Sequence, residues 1–339
     1  MTTGQQITAA ARLRELLSNS SHTVVAPGVY DGISARLALA QGFECLYMVG
    51  ERSTPMWRTV SMPEIPTQTI KKQYHILTPH QTGAGTAMSR LGMADLGLTT
   101  FTDMHQNAAM IASINPSIPV IADADTGYGG PINVAATVKA YARAGVAGMH
   151  IEYQVQEKRC GHLSGKLVVS REVFANRLRA ACKARDQSGS GIVIIARTDA
   201  RAGQDPEGNG GYEEAVARLK MAAEIGVDGL FFEALQSKEE AERAIADLPE
   251  IPVLLNEVPG GRTPIVTCEE ANKMGFRIAI WPTMGLEAVV PALENAYSAL
   301  KKQGKSPEDP PLGPGKLFEV CGLKELMEFD ESVGGKAYQ

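Results

Sequence analysis

Three observations predict an α/β fold, a (β/α)8 TIM-type barrel. Eight short apolar runs recur along the chain, most of them followed by a helix-like stretch, and carboxylates gather where the runs end. No glycine-rich fingerprint follows the first run, which disfavours the doubly wound open sheet.

The runs are TVVAPG (23–28), ECLYMVG (44–50), IPVIADAD (118–125), VAGMHIE (146–152), GIVIIART (191–198), VDGLFFEA (227–234), IPVLLNEV (251–258) and FRIAIWP (276–282). They are continuous rather than alternating, as expected of parallel strands covered on both faces. Amphipathic stretches lie between them, among them 32–42, 133–145, 171–187, 211–226 and 237–248. Several end in Gly, the usual helix stop; Ala38 to Gly42 and Ala222 to Gly226 share the ending A-x-x-x-G.

Residues 1–305 form the expected barrel domain, and 306–339 a Pro-rich linker with a helical tail that can dock on a neighbouring subunit. Residues 49–81 break the rhythm with four prolines and no sustained period. Without them Tyr47-Met48 runs straight into Thr82-Gly83-Ala84-Gly85, and their 33 residues are a whole number of codons. They are read as a retained intron, with a tolerated surface loop as the alternative, since long insertions cost little entropy.

The chain has 339 residues, 44% hydrophobic and 21% charged, which excludes disorder as the main state. A net charge of −5 offers no basic surface for nucleic acid. No apolar run reaches membrane-spanning length, and MTTGQQITAAARLRELL lacks the apolar core of a secretory signal. A cytoplasmic location is expected; two arginines near the N-terminus leave a mitochondrial one open. The five cysteines, Cys45, Cys160, Cys182, Cys268 and Cys321, form no CxxC and read as free thiols. All but Cys160 are expected to be packing residues.

Active sites of barrels lie at the C-terminal ends of the strands. Those ends carry Asp123-Ala124-Asp125, Glu152, Arg197 with Asp199, Glu233, and Asn256-Glu257. Carboxylates on adjacent strands suit a hard divalent cation, with Asp125 as direct ligand and Asp123 and Glu152 acting through water. The alternative for DADTGYG is turn and capping chemistry. Arg197 can pair with these acids or hold a substrate oxyanion. In EKRCGHLSGK (157–166), neighbouring cations favour the Cys160 thiolate and two glycines suit a moving loop, though an incidental cysteine is the alternative. TGAG (82–85) is a turn whose N–H groups can bind an anion. His150 reads as a packed core histidine and His105 as a helix-face residue.

The segments APGVYDGISARLA, TGAGTAMSRLGMADLG, DADTGYG, KRCGHLSGK, IIARTDA and NEVPGGRTP resemble the isocitrate lyase/phosphoenolpyruvate mutase superfamily, from about Val25 to Thr283 apart from 49–81. The resemblance implies a barrel whose last helix swaps between subunits of a dimer of dimers. It implies Mg²⁺, with Mn²⁺ as a substitute, and small 2-oxo or 2-hydroxy carboxylate substrates. By position, Asp125 resembles the direct metal ligand, and Asp95, Asp123 and Glu152 its water-linked partners. Gly83 and Ala84, beside Thr82, resemble the backbone donors to the substrate carboxylate. Cys160 resembles the catalytic acid, in a loop where Lys158, Gly161 and His162 complete the motif. Arg197 and Tyr47 resemble partners of the reacting oxygen, and Glu233 and Asn256 substrate contacts. Two departures stand out: Tyr153-Gln154 where the family has Asp-Gln, and Asn256-Glu257-Val258-Pro259 where it has Asn-Met-Val-Glu.

The reading is a Mg²⁺-dependent carbon–carbon lyase for a substituted malate such as dimethylmalate or methylisocitrate. The nearest rival is an oxaloacetate hydrolase. The resemblance implies a serine at the end of strand eight in hydrolases, where this chain has Pro282. An inactive homologue with a binding role is the rival from another class.

Overall fold

A computed structural model describes residues 7–48, 84–94, 97–155, 166–261, 263–306 and 312–336. Helix α1 (Ala9–Ser18) precedes β1 (Val24–Val29), α2 (Gly32–Ala40) and β2 (Leu46–Met48). A short α3 (Ala84–Thr86) and a π-helical turn (Ala87–Leu91) lead to α4 (Phe101–Ile114), β3 (Val120–Asp123), α5 (Pro131–Arg143) and β4 (Gly148–Ile151). Then come β5 (Lys166–Leu167), α6 (Arg171–Ser188), β6 (Val193–Thr198), β7 (Gly203–Gln204), α7 (Tyr212–Ile225) and β8 (Gly229–Phe232). The chain continues through α8 (Lys238–Asp247), β9 (Val253–Asn256), α9 (Cys268–Met274), β10 (Ile278–Trp281) and α10 (Met284–Gln303) to α11 (Pro314–Val320) and α12 (Leu323–Ser332).

Eight strands close a parallel barrel in the order β1-β10-β9-β8-β6-β4-β3-β2. Seven fall inside the apolar runs read from the sequence, and β1 extends one residue past its run, to Val29. The pair β5–β7 stands apart as a two-stranded sheet that the sequence did not announce. The insertion 49–81 lies outside the described residues.

Local chemistry starts and stops the helices. Asp31 accepts from the Ser34 N–H and Thr100 from the Asp103 N–H, each in a capping box, at the starts of α2 and α4. Gly226 and Gly275 end α7 and α9 in the left-handed conformation. Gly28 is required by proximity. A Cβ there would sit 2.0 Å from the Pro282 carbonyl oxygen, where β1 meets the end of β10.

Two apolar layers fill the fold. The outer one packs helices against the outward strand faces, with Met104, Val138, Phe174 and Leu219 among its members. The inner one joins Tyr47, Ile121, Ile195, Phe231, Leu254 and Ile280 to Leu13, Leu16 and Leu17 of α1, which plugs the N-terminal end. A Cβ on Gly148 would meet Leu13 Cδ2 at 2.8 Å, so the plug packs directly over the backbone of β4.

The cysteine expectation needs correction. Cys45 and Cys182 are buried, and burial pushes their thiols up to about 12 and about 11, as fits packing residues. Cys268 and Cys321 are exposed, because one opens α9 and the other caps α11, both at helix ends that face solvent. His105 lies on α4 and stacks on Phe101, the helix-face position expected of it. The tail lies against α2 of its own chain, where Arg36 Nη1 meets Glu325 Oε2 at 3.2 Å. No residue of α10, α11 or α12 is buried. Among the described residues no helix is long and apolar enough to cross a membrane.

Candidate active site

The period of two along a strand builds the site. On β3, Ile121 belongs to the inner apolar layer, and Asp123 and Asp125 follow on the same face. The same step leads from His150 to Glu152, Ile195 to Arg197, Phe231 to Glu233, Leu254 to Asn256, and Ile280 to Pro282. Four of these strands, β3, β6, β8 and β9, thus pass from an apolar layer to a polar one at the C-terminal end. Asp123, Asp125, Glu152, Arg197, Glu233 and Asn256 are all buried, as is Pro282.

Arg197 is the hub of this layer. Its Nε and Nη2 each donate at 3.0 Å to the two oxygens of Asp199. Its Nε lies 3.3 Å from Glu152 Oε2 and its Nη2 3.8 Å from Glu233 Oε2. The guanidinium stands 5.1 Å from the centre of the Phe231 ring. Asn256 Nδ2 donates to Glu233 Oε2 at 3.1 Å, and Gln154 Nε2 to Glu152 Oε1 at 3.3 Å. Of the two roles left open for Arg197, pairing with these acids is the one the geometry shows.

The backbone is strained here. Asp125 has φ +50° and Ala234, directly after Glu233, φ +64°. Two hydrogen bonds clamp Asp125: its N–H donates to Asp123 Oδ1 at 2.7 Å, and its carbonyl accepts from the Glu152 N–H at 2.8 Å. The Ala234 N–H donates to Glu233 Oε1 at 3.1 Å. Left-handed non-glycine residues cost of order 1–3 kcal/mol and cluster at functional sites.

The acids fit a cation. Asp199, Glu152 and Glu233 surround the Arg197 guanidinium, and Asp123 and Asp125 add two further buried acids to the same end of the barrel. Buried like charges at this density repel unless a cation balances them. Asp123 Oδ2 is buried with no hydrogen-bond partner among the described residues. No three His, Cys, Asp or Glu side chains among the described residues converge tightly enough to hold an ion directly. Carboxylate oxygens are the donors that a hard divalent cation such as Mg²⁺ takes, so the residues present fit such an ion.

Cys160, His162, Lys158, Gly161, Thr82, Gly83 and Asp95 lie outside the described residues. Ala84 opens α3. Tyr47 is buried inside the barrel, with its hydroxyl 2.7 Å from His150 Nε2. His150 is the packed core histidine expected, buried against Phe231; its hydrogen-bond partner is 103 residues away in sequence, so no local signal could mark the pairing. Gln154 was noticed only as half of a departure, yet it holds Glu152. The other half, Tyr153, points outward by the same period of two. It hydrogen-bonds Thr198, packs on Phe174 and lies under Arg218, so this substitution falls outside the mouth.

A cavity of about 780 Å³ lies at the opposite end of the barrel, lined by Arg14, Ser18, Asp228 and Arg277 among others. It shares no residue with the charged layer and takes no part in this chemistry.

Residues 13–301 match the phosphoenolpyruvate phosphomutase family model, so the chain belongs to that family, the phosphoenolpyruvate mutase/isocitrate lyase superfamily. It is 33% identical to the 2,3-dimethylmalate lyase of Eubacterium barkeri, over 95% of this chain and 97% of that one. It is 34% identical to the 2-methylisocitrate lyase of Aeropyrum pernix, over 96% and 91%. Among solved structures, a 2,3-dimethylmalate lyase matches with a TM-score of 0.85 and 46% identity, over 98% of each chain. An oxaloacetate acetylhydrolase bound to 3,3-difluorooxalacetate matches at 0.84 and 43%, over 98% and 99%.

Proposed function

We propose that this chain is a carbon–carbon lyase that cleaves a substituted malate-type acid, 2,3-dimethylmalate or a methylisocitrate-like compound, to a 2-oxo acid and a carboxylate. The observation that carries the reading is the buried layer of acids around Arg197 at the mouth of a barrel of this family. Asp125 would hold Mg²⁺, or Mn²⁺ in its place, with Asp123, Glu152 and Asp95 linked through water. The ion, when bound, would polarise the oxygens of the acid and offset the negative charge that cleavage releases.

The chain's own groups do the rest. Arg197 presents N–H donors to the oxygen that becomes the keto group, and the ion pairs to Asp199 and Glu152 hold its plane fixed. Glu233 and Asn256, bonded to each other, contact the substrate as a unit. The N–H groups at Thr82, Gly83 and Ala84 bind its carboxylate. The hydroxyl proton passes to a carboxylate of the buried acid layer, the carbon–carbon bond breaks as that oxygen becomes the keto group, and the electron pair of the broken bond stays on the carbon beside the departing carboxylate. Cys160, with Lys158, Gly161 and His162 around it, returns a proton to that carbon.

Assembly as a dimer of dimers is part of this proposal. Val290, Leu293, Tyr297 and Leu300 form an exposed apolar stripe on α10, at a spacing suited to packing on another helix. No nucleic-acid or membrane partner enters the reading, and the chain is placed in the cytoplasm.

Hydrolysis of oxaloacetate is the second reading, favoured by the similarity to oxaloacetate acetylhydrolase. Pro282 argues against it, because the buried ring at the end of β10 has no donor for a hydrated ketone. The test is release of pyruvate, glyoxylate or oxalate by the purified protein with and without Mg²⁺, beside Pro282→Ser. The lyase reading expects Mg²⁺-dependent pyruvate or glyoxylate from a substituted malate and little oxalate from oxaloacetate. Rapid oxalate release by the unmutated chain would establish the hydrolase instead.

A further inference from the structure

Tyr47 and His150 sit on strands that are not neighbours, β2 and β4, with β3 between them. In register, Tyr47 lies level with Ile121, and His150 is two residues further along, level with Asp123. The phenol therefore leans towards the catalytic end to reach the imidazole, 2.7 Å from Oη to Nε2. The two rings stack with planes 15° apart, and the Phe231 edge closes on His150 at 5.4 Å. Both side chains are buried.

The position of the proton follows from a third group. Asp123 Oδ1 lies 3.6 Å from the same Nε2. That is too long for a hydrogen bond but close enough to bias the ring in a low-dielectric interior. A bare Nε2 lone pair would face a carboxylate and be repelled; an Nε2–H would be attracted. The proton accordingly belongs on Nε2, and its short contact is Tyr47 Oη. A phenol oxygen that accepts from Nε2–H must send its own O–H in another direction.

We propose that His150 is a positioning residue: Asp123 fixes it as the Nε2–H tautomer, it donates to Tyr47 Oη, and the Tyr47 O–H is thereby aimed at an oxygen of the bound acid. The last clause rests on the lyase reading; the tautomer does not. Sequence makes His150 look like core filling, whereas the geometry makes it the link between the acid layer and the tyrosine. The orientation it imposes is worth rate, because small displacements of a donor from its productive line lose up to about 10²-fold.

The tautomer is read directly from two-bond ¹H–¹⁵N correlation spectra of the full-length protein with labelled histidine, assigned by loss of one signal in His150→Gln. The expected result is the Nε2–H form; an Nδ1–H form or a doubly protonated ring would overturn the proposal. A double-mutant cycle adds the rate. His150→Phe should lower kcat by about 10–10²-fold with KM changed less than about threefold. It should lower kcat no further once Tyr47→Phe is present. His150→Gln, which keeps an N–H near the same place, should recover part of the loss. An equal loss from His150→Phe in the Tyr47→Phe background would make His150 a packing residue and overturn the proposal. Absence of turnover in the unmutated chain counts against the lyase reading alone, since the tautomer is measured without substrate.

Discussion

The two ends of the barrel share the same eight strands and are built on opposite principles. At the N-terminal end, Leu13, Leu16 and Leu17 of α1 close the interior against Val24, Val193 and Ile278. The charges there are paired off at the rim: Asp228 accepts from Arg14 at 2.8 Å, from Arg185 at 2.7 Å and from the Ile194 N–H at 2.8 Å. At the C-terminal end, carboxylates are buried together, one oxygen of Asp123 has no hydrogen-bond partner among the described residues, and Asp125 and Ala234 are held in left-handed backbone. The first end lowers the free energy of the fold. The second raises it and stores the difference in groups aimed at a ligand. Such a division predicts that substitutions at one end change turnover, and at the other, stability.

The largest expected effect belongs to Cys160. Cys160→Ser should reduce turnover by about 10²–10⁴-fold with substrate affinity largely kept, as loss of a positioned proton donor does. Near-normal turnover would remove the thiol from the chemistry. Asp125→Ala should lower activity by at least about 10²-fold, and excess Mg²⁺ should not restore it. Its thermal midpoint without metal should not fall, because one of several repelling acids is gone. A variant that melts much lower would show that the acid layer is structural and would blur the contrast.

The plug supplies the converse. Leu13→Ala should destabilise the protein by about 2–5 kcal/mol in urea unfolding, as expected for a buried leucine in a close-packed interior. The kcat of the folded fraction should stay within about twofold of the native value. A large change in kcat would couple the two ends.

Glu257 gives the smallest effect and tests the burial of charge beside the site. Desolvation pushes its carboxyl from the ordinary 4.5 up to about 7, opposed by the hydrogen bond from the Val266 N–H. The folded state thus keeps a proton that the unfolded chain releases near 4.5, so stability falls as pH rises from 4.5 to 7. Glu257→Gln keeps an acceptor for Val266 and removes the charge. It should be more stable than the native chain by about 1–3 kcal/mol at pH 8 and nearly equal at pH 5. An equal gap at both pH values would exclude titration of Glu257 as the cause.

The sequence alone determined the barrel. Each strand announced itself as a continuous apolar run, and the carboxylates of the mouth stood where those runs end, so local pattern placed both the strands and the acids. It did not determine α1 as a plug, since Leu13, Leu16 and Leu17 are unremarkable until the far end of a barrel needs closing. It did not separate Cys268 and Cys321 from the buried thiols, because exposure at a helix end depends on what packs there. It left Arg197 with two roles and named no partner for His150. Those assignments depend on partners far away in sequence, Asp123 on one strand and Tyr47 on another, and on charges that interact through a shared buried space. Only closure of the barrel brings such groups within reach of one another, and so only the tertiary structure decides what each of them does.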